Sequence, residues 1–218
     1  MILPVIIAAA VGYLLGSLPF GYLVARAKGV NIFEVGSRSP GATNVRRTLG
    51  SGPGNLVFVL DALKGALAVE LAVMHLERSG DGLNLTVSAG ADAGSVAAVA
   101  ALLGALVGHS FSCFTKFRGG KGVATSMGGL LIMMPLETAI AGAAWVIVFF
   151  ASRYVSLASI TAAVVLVIAS LLLKLPGLLI GVATAIALFV VVRHRTNIAR
   201  LLNGTENKFV RKGAGPKA

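Results

Sequence analysis

Three stretches of the chain hold residue types suited to gripping phosphate. The first runs Gly36-Ser37-Arg38-Ser39-Pro40-Gly41-Ala42-Thr43-Asn44-Val45-Arg46-Arg47. Small residues let backbone N–H groups turn toward an anion. Ser37, Ser39, Thr43 and Asn44 supply neutral donors, and Arg47 supplies a planar fork that matches phosphate. The plainer account of the same stretch is a positively charged inner loop with ordinary turn residues. The second stretch contains Arg118-Gly119-Gly120-Lys121-Gly122, three glycines around a point charge, which is the composition of an anion nest. It is not a Walker loop, because Lys121 is followed by Gly122 rather than Ser or Thr and the upstream glycine is missing. The third stretch, Arg193 to Glu206, puts His194 and Asn197 one turn apart if the helix continues past the membrane, though a lone interfacial histidine is more often just a solvated residue. Arg200 can there pair with Glu206 or touch a lipid phosphate. Thr43, Asn44, Ser39 and Arg200 count as binding candidates beside Ser37, Arg47, Lys121, His194 and Asn197.

Familiar relays are missing. The usual lipid acyltransferase signature has an Asp five residues after a His, but His75 is followed at that distance by Gly80, His109 by Phe114 and His194 by Ala199. There is no G-x-S-x-G elbow. No His–carboxylate pair of the usual relay type can be read here, and any chemistry must suit a substrate carrying its own good leaving group. The one cysteine, Cys113, permits no disulfide within the chain and no Cys/His metal cluster. Neither a metal nor an organic cofactor is called for.

The elements that must position these residues are apolar. Of the 218 residues 56% are hydrophobic and 12% charged, against about a quarter charged in soluble domains. The apolar residues lie in long runs, a lipid-facing pattern. Runs are expected as spans over 2–25, 54–75, 87–108, 123–134, 136–151, 155–173 and 177–192. The expected fold is thus an all-α polytopic membrane bundle of about seven transmembrane helices. Residues 1–218 form one domain with a cytoplasmic tail from about 193. The N-terminal run reads as a retained first span, not a cleaved signal peptide, since no basic residues precede it.

Charge orients the chain. Sixteen of the 19 Lys and Arg residues fall in 26–52, 109–122, 152–154 and 193–218. The positive-inside rule then puts the N-terminus outside and the C-terminus in the cytoplasm, for seven spans or for five. A net charge of +11 could indicate nucleic acid. Cations set between apolar runs point instead to anionic head groups and phosphorylated substrates. Asp61 and Lys64, three apart inside the second run, read first as a structural ion pair and second as site residues. Ser156 and Ser159 open the sixth run as helix caps or as donors into the pocket. Phe111, Phe114 and Phe117 read as interfacial anchors, with an acyl-chain wall as the sharper alternative.

Taken in order, these segments resemble the bacterial acyl-phosphate:glycerol-3-phosphate acyltransferase family (PlsY type). The matches are Gly36-Ser37, Gly41-Ala42-Thr43-Asn44-Val45 and Arg47, then Asp61 with Lys64-Gly65, and Gly108-His109 with the spaced phenylalanines. They continue through Gly119-Gly120-Lys121-Gly122 to His194, Asn197, Arg200-Leu201 and Gly204-Thr205-Glu206. The resemblance implies transfer of an acyl chain from acyl phosphate to glycerol-3-phosphate, giving lysophosphatidic acid and phosphate. It implies that Ser37, Arg47 and Lys121 line the phosphate pocket, that His194 and Asn197 complete it, and that Ser159 is a further member. Gly119, Gly120 and Gly122 would let the acyl phosphate approach the backbone. Where the family usually has Gly-Ser-Gly-Asn, this chain has Gly36-Ser37-Arg38-Ser39, so Ser39 stands at the usual Asn position. The implied setting is the bacterial cytoplasmic (inner) membrane, with the site facing the cytoplasm, membrane lipids as surroundings, no nucleic acid partner and a monomeric chain.

Two other classes compete. A transporter of a phosphorylated solute fits the spans and basic face, although no inverted repeat is visible. A non-catalytic membrane subunit leaves Ser37, Arg47, Lys121 and His194 without a purpose. Within the enzyme class, acyl-CoA or acyl carrier protein is the alternative donor.

Overall fold

The structure, a computed structural model, describes residues 2–78 and 93–209, and among these it is built of helices and connecting turns. Apolar runs become helices because in lipid each backbone N–H and C=O must be satisfied within its own segment. The run expected over 2–25 forms two helices, α1 (Ile2–Ser17) and α2 (Phe20–Arg26). Pro19 has no N–H to continue the ladder, so the helix breaks there. The polar stretch expected as loop contains a helix, α3 (Ala42–Leu49), stopped by Gly50 at φ 97°. Helix α4 (Ser51–Arg78) starts three residues earlier than expected. The described part of the third run is α5 (Ala93–Ser110), and the expected start of that run at 87 lies outside the described residues. Asp81 and Asn84 of the preceding loop, and the tail cations Arg211, Lys212 and Lys217, lie outside them too.

A 3-10 turn (Cys113–Thr115) leads to α6 (Val123–Met133), and Pro135 opens α7 (Pro135–Ser152). Then follow α8 (Val155–Leu172), α9 (Gly177–Arg193) and α10 (Arg195–Leu202). With 11 residues, α6 extends only ~16 Å against a hydrocarbon core of about 30 Å. Among the described residues, four helical segments are long and apolar enough to cross a membrane, or five if α9 and α10, bent by 60°, count as one. Helix α4 has the length but carries Asp61, Lys64 and Glu70. The all-helical membrane class holds, while length and composition support fewer spans than the seven expected.

The chain divides into two compact units, residues 1–135 and 136–218. In the first, α1 packs along α5. A Cβ on Gly12 or Gly16 would run into the carbonyls of Ala101 or Ala105, and one on Gly104 or Gly108 into those of Ala9 or Tyr13. Two G-x-x-x-G faces therefore interlock, as suits helices that must associate without a hydrophobic driving force. Helix α4 approaches α6 in the same manner, Gly65 against Thr125 and Gly128 against Ala62. Beneath the first polar stretch, Ala25, Ile32, Phe33, Val45 and Val57 form a buried cluster. In the second unit α8 packs on α9, and α10 touches both.

Candidate active site

Asn44 organises the first phosphate-binding candidate. Its carboxamide is buried, 2% exposed. Its oxygen accepts the Ser37 N–H at 2.9 Å, and its nitrogen donates to the carbonyls of Val35 at 3.1 Å and Ser39 at 2.9 Å. Asn44 thus folds the loop, its carboxamide bonded to the main chain of Val35, Ser37 and Ser39. Ser37 and Arg47 are exposed and Thr43 is half-buried in the first turn of α3. Ser39 contributes its main-chain oxygen to Asn44, and its hydroxyl accepts the Gly41 N–H at 3.4 Å.

The glycine loop lies against His109, at the end of α5. The Gly120 N–H donates to the His109 carbonyl at 3.1 Å. A Cβ on Gly120 would collide with the His109 ring, and one on Gly119 with the carbonyls of His109 and Ser110. Gly122, at φ 82°, supplies the left-handed turn that starts α6. Lys121 is half-buried between them. The Arg118 guanidinium donates to the Phe33 carbonyl at 3.2 Å and stacks over the Phe33 ring at 4.4 Å. That clamp ties the second stretch to Phe33, three residues ahead of the first. Phe111, Phe114 and Phe117 are exposed, with Lys116 and Phe117 both at positive φ, an arrangement that fits interfacial anchoring.

A carboxylate meets an imidazole here, between two helices and outside the usual relay spacing. Asp61 Oδ1 stands 3.5 Å from His109 Nδ1 and 2.9 Å from Lys64 Nζ. Lys64 also donates to the Leu18 carbonyl at 2.9 Å, at the break between α1 and α2. The expected Asp61–Lys64 pair is there. The third partner was hidden because it comes from another helix, and no local His-to-Asp spacing encodes it. These residues line a cleft with Pro40, Ser112, Arg118 and Gly119.

The third stretch lies in the second unit and is centred on Glu206. Its Oε1 accepts from Ser156 Oγ at 2.9 Å and from Asn197 Nδ2 at 2.8 Å, and its Oε2 accepts from Arg200 Nε at 2.8 Å. Burial pushes this carboxyl up, but the Arg200, Asn197 and Ser156 hydrogen bonds and the Arg200 charge outweigh it and hold it below its ordinary range. Of the two partners open to Arg200, the structure shows Glu206. His194 sits at the bend between α9 and α10, so it does not ride one continuous helix with Asn197. Its Nδ1 donates to the Val190 carbonyl at 2.8 Å, which fixes the ring's orientation at the bend. The Ser159 hydroxyl donates to Val155 O at 2.8 Å and accepts the Trp145 N–H at 3.1 Å. Ser156, not Ser159, joins the Glu206 cluster. The segment beyond 193 is no loose tail as far as 209: α10 and Glu206 fold onto the start of α8, and the Phe209 N–H donates to the Arg153 carbonyl at 2.9 Å. Among the described residues, no group of three or more His, Cys, Asp and Glu is placed to hold a metal ion.

The family model for glycerol-3-phosphate acyltransferase matches residues 6–204. The chain belongs to the glycerol-3-phosphate acyltransferase family. Within that family it is similar to a glycerol-3-phosphate acyltransferase of Fusobacterium nucleatum, 41% identical over 90% of this chain and 94% of the relative. One from Synechococcus elongatus is 43% identical over 96% of each chain. Among solved structures, PlsY, an integral membrane glycerol 3-phosphate acyltransferase in its glycerol 3-phosphate form, superposes with a TM-score of 0.81 at 36% identity, covering 94% of this chain and 96% of that one. The lysophosphatidic acid form of PlsY gives 0.79 at 35% identity. As a glycerol-3-phosphate acyltransferase relative with several long apolar helices, the chain is an integral membrane protein, an acyltransferase and a component of phospholipid biosynthesis.

Proposed function

We propose that this acyltransferase takes its acyl group from acyl phosphate and passes it to glycerol-3-phosphate, releasing lysophosphatidic acid and phosphate. One observation carries the donor assignment: a loop stripped of side chains, Gly119–Gly122, has Lys121 in its middle and follows Arg118, which is clamped on Phe33 just ahead of the stretch bearing Ser37 and Arg47. Such a loop suits a phosphate that approaches the backbone closely. The chain supplies no thiol or hydroxyl with an adjacent base for a covalent acyl intermediate in that stretch. An acyl phosphate is already activated, so charge neutralisation and positioning suffice.

In the reaction the primary hydroxyl oxygen of glycerol-3-phosphate attacks the acyl carbonyl carbon. The bond from that carbon to the bridging phosphate oxygen breaks, inorganic phosphate departs, and a phosphate oxygen takes the hydroxyl proton. Ser37, Arg47 and Lys121 neutralise the phosphates, and His194 and Asn197 serve the same reaction. The acyl tail stays in lipid while glycerol-3-phosphate enters from water. We assign residues 1–218 to one acyltransferase domain, monomeric in the bacterial inner membrane. It has about seven transmembrane helices, the N-terminus outside, the C-terminus in the cytoplasm and the site facing the cytoplasm.

The test is a donor and acceptor panel on purified protein. Phosphate should be released from long-chain acyl phosphate only when glycerol-3-phosphate is present. Turnover with acyl-CoA or acyl carrier protein in place of acyl phosphate would overturn the donor assignment.

A further inference from the structure

We propose that Trp145 is a positioning residue that prepares the Ser159 hydroxyl to donate to a substrate oxygen; this rests on the reading that Ser159 belongs to the acyl-transfer site. Trp145 lies in α7 and is the chain's one tryptophan. Its indole N–H donates to Ser159 Oγ in α8 at 3.1 Å. The Ser159 hydroxyl donates in turn to the Val155 carbonyl at 2.8 Å, one turn back in its own helix. The direction of both bonds is forced, because an indole nitrogen only donates and a carbonyl only accepts. Ser159 is 4% exposed, so little water reaches it to replace either partner.

A hydroxyl has one proton to give and two lone pairs to receive. Beside the oxygen of an anionic substrate only the proton helps, since a lone pair there faces negative charge. Trp145 fills a lone pair of Ser159, and linked hydrogen bonds polarise one another, so the hydroxyl becomes a stronger donor. Its bond to Val155 is a local back-bond to the preceding turn. The ladder of α8 serves that carbonyl as well, so the proton can turn to a substrate without orphaning a buried acceptor. The indole is itself held in place. Trp145 stacks on Phe149 at 4.9 Å, and Phe149 meets Phe209 edge to face at 5.5 Å. Phe209 is fixed through its N–H on the Arg153 carbonyl. The segment after Glu206 therefore reaches Ser159 through three touching aromatic rings.

The test is a mutational cycle in full-length protein, read with whichever acyl donor the wild type turns over, so a wrong donor assignment does not disturb it. Ser159→Ala should lower kcat/KM by roughly tenfold to a hundredfold, the range of a hydrogen bond to a charged group. Trp145→Phe keeps a stacking ring and loses the N–H. It should lower kcat/KM by roughly threefold to tenfold, through the same constant, kcat or one of the KM values, that Ser159→Ala moves. In the Ser159→Ala background it should cost less than about twofold further. Ser159→Cys, which keeps a weak donor at the position, should fall between wild type and alanine and serves if the alanine variant does not insert. The emission of the one tryptophan should shift in Ser159→Ala, where the indole loses its acceptor. The inference is overturned if Trp145→Phe keeps wild-type kinetics while Ser159→Ala does not, if the two losses multiply, or if emission is unchanged in Ser159→Ala. Wild-type kinetics in Ser159→Ala would instead remove Ser159 from the site and take the inference with it.

Discussion

The side-chain amide of Asn197 donates to Glu206 Oε1 at 2.8 Å, and the same oxygen takes the hydroxyl of Ser156 at 2.9 Å. One carboxylate so orients a candidate site residue and joins the chain's last described helix to the start of α8. Glu206→Ala removes the acceptor for three donors. It should destabilise the protein by about 2–4 kcal/mol, seen as a lower melting temperature in detergent. Glu206→Gln, which turns an NH2 toward Arg200 or Asn197, should lose part of that.

The pH dependence has a defined sign. Because the folded-state carboxyl of Glu206 is held below its ordinary range, its contribution is present above about pH 4.5 and disappears as pH falls through the lowered value. Melting curves of wild type and Glu206→Gln should therefore converge as pH falls through that lowered value. A constant difference across that range would remove Glu206 from the account of acid sensitivity.

Arg47→Ala and Lys121→Ala each remove a cation from the phosphate-holding stretches. Each should lower kcat/KM by roughly a hundredfold to a thousandfold, with insertion and melting temperature close to wild type. Full activity in both variants would dismantle the phosphate pocket proposed above.

Ser39 and Asn44 should separate sharply. Ser39 offers Asn44 a main-chain oxygen that any residue provides, so Ser39→Asn should leave the donor KM within about threefold. Asn44→Asp cannot donate to the Val35 and Ser39 carbonyls. It should cost on the order of 2–3 kcal/mol in stability and reduce activity without touching substrate. Steady-state kinetics and thermal unfolding on the same preparations check both.

Helix seams test the packing. Gly16→Leu must displace the α5 backbone at Ala105, so it should destabilise by about 1–3 kcal/mol. Gly142→Leu, with open space around it, should be neutral in the same assay.

Much of this was legible in the residues. Apolar runs announced the helices because period and length are local properties, and α7, α8 and α9 start and stop within one residue or so of the expected bounds. Polar stretches hid structure wherever the cause was nonlocal. The helix over Ala42–Leu49 has a polar sequence, and only burial of Val45 with Ile32 and Val57 shows why it forms. His109 and Asp61 were each visible, but their meeting depends on how α4 and α5 pack. His194 and Asn197 were expected on one continuous helix, and the 60° bend comes from the geometry at the end of α9. Arg200 had two partners open to it, and the structure shows it bonded to the carboxylate six residues on.

The charged pair in α4 also bears on how the chain is made. During synthesis α4 emerges before α5, so Asp61 and Lys64 reach the insertion machinery while His109 is still unmade. Each charge at a helix centre costs about 2.5–3.5 kcal/mol to insert, and their mutual pairing at 2.9 Å is the relief available at that moment. Neutralising Lys64 alone strands a carboxylate in a nascent hairpin. The damage from Lys64→Ala should then appear first as protein that never enters the bilayer, before any enzyme exists to be assayed.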